Sequence, residues 1–217
     1  YAKVFGHEQD EFWCDHGTAT ESFTKLGDSI YFRKGASIYV NMFRSTVFTS
    51  TPQNLRLTQT ADVPNTDTVT FGVDSIDGGA LVAGTTLRLR VPSWSPNPTL
   101  TVNGQSREVA PLMQNGYVVI PVAKGDAVSY TLPASVTVDA GTEDPNWVAF
   151  RYGPVLLSTE LSRVNVDADY QAGILVRMST ADKSVSNTVL VSDVDAFTQN
   201  IAQNLVRQEN GKDNNGS

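Results

Sequence analysis

The residues best equipped for chemistry lie together near one end of the chain. The run Phe12-Trp13-Cys14-Asp15-His16-Gly17-Thr18-Ala19-Thr20-Glu21-Ser22 holds the only cysteine of the 217 residues and one of the two histidines. A cysteine acts as nucleophile or metal ligand through its thiolate, which a helix N-terminus or a bound metal favours. Asp15 and His16 could ligate a metal, or orient a group that does. Cys-Asp-His is not a metal-binding spacing by itself, because neighbouring side chains of an extended segment point opposite ways. The competing reading makes Cys14 a small buried hydrophobe, the usual fate of a lone cysteine. So loaded a segment, with so little chain before it, suggests a piece of a longer polypeptide.

The elements around this run can be read from capping and periodicity. Thr18-Ala19-Thr20-Glu21 is a capping box, in which the Thr18 hydroxyl accepts from the Glu21 amide and the Glu21 carboxylate reaches back to the Thr18 amide. It predicts a short helix over residues 19–26, closed by Gly27 in the left-handed conformation, with Glu21 and Lys25 paired four residues apart. From Ser29 the period becomes alternating. Ser29–Phe32 and Ser37–Phe43 read as strands flanking a hairpin loop at Arg33-Lys34-Gly35-Ala36. Asn54–Thr60, Thr68–Val73, Thr85–Pro92, Thr99–Val102, Tyr117–Pro121, Ala127–Leu132, Ser135–Val138 and Trp147–Tyr152 continue the series. Asn103-Gly104 is a strong two-residue hairpin signal, and Pro121 belongs at an edge or bulge. Turn signals every 8 to 12 residues or so predict a mainly β chain, a sandwich or barrel.

Beyond Glu160 the pattern loosens. Ile174–Met178 and Thr188–Val191 read as strands, Phe197–Val206 as a helix or a last strand, and the stretch from Gly211 to Ser217 as a disordered polar tail. Asn215-Gly216-Ser217 matches a glycosylation acceptor. Abundant Thr, Ser, Val and Asn favour strands over helices. A net charge of -7 and a pI near 4.7 argue against nucleic acid, which demands a basic patch. No apolar run reaches the roughly 18 residues that span a bilayer, so a membrane partner is not expected.

The motif as a whole resembles a known family. Phe12-Trp13-Cys14, Gly17-Thr18, Glu21 and then Lys25-Leu26-Gly27-Asp28-Ser29-Ile30-Tyr31-Phe32 are similar to the signature of the β-L-arabinofuranosidase superfamily of glycoside hydrolases, families 127 and 146 and their relatives. That signature reads Phe-Trp-Cys-Cys-x-Gly-Thr-Gly-x-Glu, then Lys-Leu-x-Asp-Ser-Ile-Tyr-Phe. Ile38-Tyr39-Val40-Asn41-Met42-Phe43, Leu57-Thr58-Gln59-Thr60, Leu87-Arg88-Leu89-Arg90-Val91-Pro92-Ser93-Trp94, Val102-Asn103-Gly104, Gly125-Asp126 and Arg151-Tyr152-Gly153-Pro154 come after it in the expected order. The resemblance covers residues 12–161. It implies that residues 1–32 end an (α/α)6 barrel whose remainder lies outside this chain. Residues 33–161 would then form a β-sandwich, and 162–217 additional strands and a polar tail.

The same resemblance implies a retaining hydrolase with Cys14 as nucleophile. In the family, zinc holds the thiolate through other cysteines and a glutamate, and a separate glutamate serves as acid/base; those partners would lie upstream. The family's second cysteine is Asp15 here, and its second glycine is Ala19. A carboxylate donates less charge than a thiolate and makes a harder site. Asp15 could ligate zinc beside Cys14, His16 or an upstream residue could replace the missing ligand, or the metal could be lost. Trp13, His16 and Glu21 are the candidate substrate contacts, although the capping role is a sufficient explanation for Glu21.

Other residues invite a functional reading beside a plainer one. Trp94 and Trp147 could stack on sugars, but their strand positions favour the core or an interdomain contact. His7 with Glu8 and Asp10 reads as a solvated loop. Asp139, Glu143 and Asp144 fit no calcium loop. Arg88 and Arg90 read as the solvent face of a strand, and Arg151-Tyr152-Gly153-Pro154 as a turn. The leading expectation is the C-terminal part of a hydrolase acting on β-L-arabinofuranosides or a related sugar of plant glycans. Its rival is a non-catalytic sandwich module that packs on a barrel or binds glycan. Glycan hydrolysis by a chain poor in lysine and rich in Thr and Ser suggests export.

Overall fold

The computed structural model describes residues 21–22, 24–25, 27–63, 65–144, 147–157 and 193–204. The chain divides into two units, residues 6–135 with 152–155, and residues 1–5 with 136–151 and 156–217.

The larger unit contains, in chain order, β1 (Tyr31–Lys34), β2 (Ser37–Val40), β3 (Thr46–Ser50), β4 (Leu55–Thr60), β5 (Thr68–Ser75), β6 (Thr86–Arg90), β7 (Thr99–Val102), β8 (Gln105–Arg107), β9 (Met113–Gln114), β10 (Tyr117–Pro121) and β11 (Ala127–Thr131). They form one sheet of order β1-β2-β6-β10-β9 and another of order β3-β4-β5-β11-β7-β8. The chain passes repeatedly from one sheet to the other, and β6 therefore lies parallel to β2 while its other partner, β10, is antiparallel.

Alternation explains why these segments stack in two layers. Along β5 the residues alternate exposed and buried without a break, and β4 does the same in the opposite phase. Side chains of a strand point to opposite faces in turn, so each strand offers one apolar face. Ile38, Val40, Leu87, Leu89, Val118 and Ile120 of the first sheet meet Leu55, Leu57, Val69, Phe71, Val73, Leu100, Val128 and Tyr130 of the second in one buried cluster. A one-residue slip would turn every one of these side chains to water, so the core fixes the register.

Two tight turns reinforce that register. Asn103-Gly104 and Asn115-Gly116 both have positive φ at each residue (52° and 76°; 50° and 79°). Each joins strands paired directly across it, Val102 with Gln105 and Gln114 with Tyr117. This is the left-handed pair that a type I′ hairpin requires, and Asn-Gly adopts it with little strain. The first was expected; the second carries the same signal and creates β9. Gly35 (φ 59°) opens the expected loop between β1 and β2. Pro121 closes β10 beyond the two residues that β9 pairs, where its missing N–H breaks no ladder on that side.

The smaller unit contains β12 (Val136–Ala140) and most of β13 (Val148–Tyr152), which with β14 (Val155–Leu156) make a three-stranded sheet. Asp139 forms an ion pair with Arg151. Val194–Gln199 is helical, capped by the Asp193 carboxylate, which accepts from the Ala196 amide at 2.9 Å. Ile201–Asn204 is a further helical turn, so the ambiguous region from Phe197 is helix where described. Phe197 packs on Phe150 with ring centroids 5.4 Å apart. The expected strands Ile174–Met178 and Thr188–Val191 and the polar tail lie outside the described residues.

Leu57 is fully buried and its strand neighbour Thr58 is exposed. Leu57→Ala should lower unfolding free energy by about 2–5 kcal/mol. Thr58→Ala should change it by about 0.5 kcal/mol or less, as surface substitutions do. Urea denaturation of the two variants tests the assigned faces of β4; equal effects would contradict them.

Candidate functional site

Cys14, Trp13, Asp15 and His16 lie outside the described residues, as do Thr18 of the capping box and the cluster His7, Glu8 and Asp10. The first described residues of the motif are helical: Glu21, Ser22 and Thr24 form a turn in which the Lys25 amide donates to the Glu21 carbonyl at 3.1 Å. The Glu21 carboxylate stands 3.5 Å from the Lys25 ammonium, and both are largely exposed. The expected pair is present, and as a solvated i,i+4 contact it contributes only about 0.3–0.5 kcal/mol.

The helix does not end where its glycine suggests. Gly27 does not take the left-handed backbone; Ser29 does, at φ 66°. The Asp28 amide donates to the Lys25 carbonyl at 2.9 Å, so the chain turns once more before reversing at Ser29. The strand therefore starts at Tyr31 rather than Ser29.

Immediately after this reversal the chain is fastened. Ile30 is buried, and its carbonyl accepts from the Asn41 amide at 2.9 Å. The Tyr31 ring stacks on Phe48 with centroids 4.5 Å apart. Its hydroxyl lies 2.7 Å from Thr46 Oγ1 and accepts from Gln59 Nε2 at 3.0 Å. Gln59, buried on the inner face of β4, also donates to the Arg44 carbonyl at 2.8 Å. Tyr31 belongs to one sheet and Phe48, Thr46 and Gln59 to the other, so these contacts join the layers where the motif enters the sandwich.

The outer face of the first sheet is more ordered than a solvated strand surface. The Arg88 guanidinium sits 5.3 Å from the Tyr39 ring centre, and Arg88 Nε donates to Ser37 Oγ at 3.2 Å. Tyr39 meets Tyr117 edge to face at 5.2 Å, and the Tyr117 hydroxyl donates to Asn41 Oδ1 at 2.6 Å. Arg90 is exposed as expected.

The tryptophans part company. Trp94 is half-buried against the core as expected, although it lies in the turn after β6 and not in a strand. Gly153 (φ 55°) crosses close to it, where an added Cβ would lie 3.3 Å from the Trp94 ring and 3.1 Å from Ala134, so a side chain at the expected turn would be strained and would press on both. Trp147 is 68% exposed and is not a core residue. Among the described residues no group of three or more His, Cys, Asp or Glu converges as a metal site.

Residues 37–134 match the family model described as β-L-arabinofuranosidase, GH127 middle domain. That stretch of the chain is similar to this domain. Solved structures agree on the fold. A GH127 β-L-arabinofuranosidase from Geobacillus stearothermophilus T6 superposes with a TM-score of 0.57 at 22% identity, over 66% of this chain and 23% of that one. A second GH127 β-arabinofuranosidase gives 0.57 at 21% identity, over 66% and 25%. A protein described as a glycoside hydrolase gives 0.58 at 22% identity, over 72% and 27%. This chain therefore spans about a quarter of the length of each. No curated protein matches it.

The inter-sheet contacts of this sandwich give it an alkaline limit. Burial raises the pKa of the Tyr31 hydroxyl, against the lowering effect of its bonds to Thr46 and Gln59. Burial likewise raises that of Tyr130, whose hydroxyl donates to the Arg90 carbonyl at 3.1 Å. Both groups hold their protons more tightly folded than unfolded. Their contribution is thus complete below the unfolded value of about 10 and is lost as pH rises above it. Thermal melts from pH 8 upward should show a fall in Tm beginning near about pH 10, and Tyr130→Phe should make that fall shallower. An unchanged slope would overturn the assignment.

Proposed function

We propose that this chain is the C-terminal part of a retaining glycoside hydrolase acting on β-L-arabinofuranosides or a related sugar of plant glycans, with Cys14 as nucleophile. The observation that carries the reading is the similarity of residues 37–134 to the GH127 middle-domain model, directly preceded by the Cys14 motif. The whole enzyme would place an (α/α)6 barrel before β1, and the carbohydrate and the rest of that barrel would be the chain's partners. Carbohydrate access suits an exported protein.

Chemically, the Cys14 thiolate attacks the anomeric carbon and the glycosidic oxygen departs with a proton from a general acid elsewhere in the enzyme. A glycosyl-cysteine forms. Water, deprotonated by the same group, then displaces sulfur and restores the original configuration. Trp13 offers an aromatic face for the sugar ring, and His16 and Glu21 offer polar contacts to its hydroxyls. The Glu21 side chain is largely exposed, so its carboxylate can meet solvent or sugar.

Zinc fits the donor types at Cys14 and Asp15, a soft thiolate and a hard carboxylate, both found in zinc sites. When bound it would supply a deprotonated sulfur near neutral pH. Asp15 would complete the charge beside it, with remaining donors from His16 or elsewhere in the enzyme.

In the complete protein, Cys14→Ser should lower kcat on an aryl β-L-arabinofuranoside by a thousandfold or so at least, since loss of a nucleophile leaves only binding and electrostatic catalysis. Unchanged activity would end the nucleophile assignment. Elemental mass spectrometry of the same pair should find near-stoichiometric zinc in the wild type and less in the variant. Zinc in neither would end the metal assignment and favour a module without catalysis or with a different mechanism.

A further inference from the structure

Trp147 is the most exposed of the large hydrophobic side chains among the described residues, at 68%. Its backbone is nevertheless held at both ends. The Trp147 amide donates to the Asp144 carbonyl at 3.1 Å, and its carbonyl accepts from the Gly141 amide at 2.7 Å. This closure leaves no space at Gly141, where a Cβ would stand 2.8 Å from the Asp144 carbonyl oxygen and 3.2 Å from that of Trp147. The indole is thus held out from a fixed backbone rather than hanging from a loose one. Beside it lies an open cavity of about 510 Å³ lined by Gly141, Thr142, Glu143, Asp144 and Trp147. That volume falls within the range of about 300–1,000 Å³ usual for small-molecule sites.

The lining has two chemistries. The indole gives one broad apolar face, and Thr142, Glu143 and Asp144 are the polar residues that line the cavity with it. A sugar ring has the matching pair, a flat face of C–H bonds and a rim of hydroxyl donors. Hydrogen bonds from those hydroxyls to ionised carboxylates are stronger than neutral ones, and a rigid aromatic platform loses little entropy on contact. A cation would also be drawn to two carboxylates, but a cage for one draws on several aromatic faces, and this lining has one. The carboxylates oppose an anionic sugar.

We propose that the cavity beside Trp147 binds a neutral sugar unit of a glycan chain, a binding role additional to hydrolysis; the choice of glycan rests on the glycoside hydrolase reading above. Affinity electrophoresis of the complete protein through gels containing arabinan, and through gels containing polygalacturonate, tests it. Arabinan should retard the wild type, and Trp147→Ala should weaken that affinity about tenfold, the scale of one lost aromatic contact. Trp147→Phe should retain most of it. Glu143→Gln, which leaves the loop backbone untouched, should weaken it severalfold, and polygalacturonate should retard neither form. Equal retardation of wild type, Trp147→Ala and Glu143→Gln, absence of retardation by arabinan, or stronger retardation by polygalacturonate would overturn the proposal. Repeating the gels in the Cys14→Ser background separates the two readings, because hydrolysis reports on Cys14 and retardation on Trp147, and either can fail alone.

Discussion

The sandwich depends on one buried polar clasp at the place where its two layers could most easily part. On the inner face of β4 the sequence Leu55, Leu57, Gln59 continues an alternating buried run into an amide. A buried amide without partners would cost on the order of 1–3 kcal/mol. Gln59 Nε2 instead meets the Tyr31 hydroxyl, the Arg44 carbonyl and, at 3.3 Å, the Met42 carbonyl, while its Oε1 is buried without a protein partner. Those groups come from β1 and from the connection between the sheets. Leucine at this position would match the apolar pattern, yet it would remove a donor from the Met42 carbonyl and leave the Tyr31 hydroxyl and the Arg44 carbonyl to Thr46. The amide therefore specifies how the first strand and the crossover after β2 sit on the second sheet, which apolar packing alone specifies less sharply.

Why the sequence reveals some elements and hides others comes from the same physics. Strands with one buried face have a period of two, and Thr99–Val102 and Tyr117–Pro121 are bounded as expected. β3 escapes a reading by periodicity because Val47 is 57% exposed and Phe48 is only half-buried, so its apolar pattern does not mark a face. β8 and β9 are edge strands of three and two mostly polar residues, formed by their turns rather than by burial. At Gly27 the residue type misleads. Glycine permits a left-handed backbone without requiring one, and local hydrogen bonding moves the reversal to Ser29. The site is legible in a different way. Cys14 is chemically conspicuous, but its spacing with Asp15 and His16 implies no geometry, and only the resemblance gives it a role. Trp147 is hidden because a tryptophan beside a strand usually points inward; its exposure is a three-dimensional fact that the spacing does not carry.

The outer face of the first sheet shows how a surface can be specified without a core. Tyr39, Arg88 and Tyr117 stand on three adjacent strands, and each makes a directed contact with another of them or with Ser37 and Asn41. Arginine over an aromatic ring contributes about 0.5–1 kcal/mol at exposed sites. The hydrogen bonds add geometric definition more than energy. Together they hold long side chains in one arrangement, which lowers the entropy that any further contact with this face would cost. The apolar inner face determines that β2, β6 and β10 assemble, and this outer network determines what the assembled sheet presents.

These features bear on how a sandwich would serve the reaction proposed above, with its nucleophile at Cys14, before the sandwich in the chain. A nucleophile must be held to a fraction of an ångström relative to the bond it attacks, and supporting contacts supply that precision. Ile30 and Tyr31 tie the segment's downstream end to both sheets within two residues of the reversal at Ser29. A loosened clasp at Gln59 would free that end without touching the thiol. On the nucleophile reading proposed above, the two signatures differ: Gln59→Leu should lower kcat and thermal stability together, whereas Cys14→Ser should lower kcat alone. Melting curves and rates measured on the same preparations distinguish the two. A Gln59→Leu protein that melts early yet turns over normally would show that the clasp serves the sandwich and not the site.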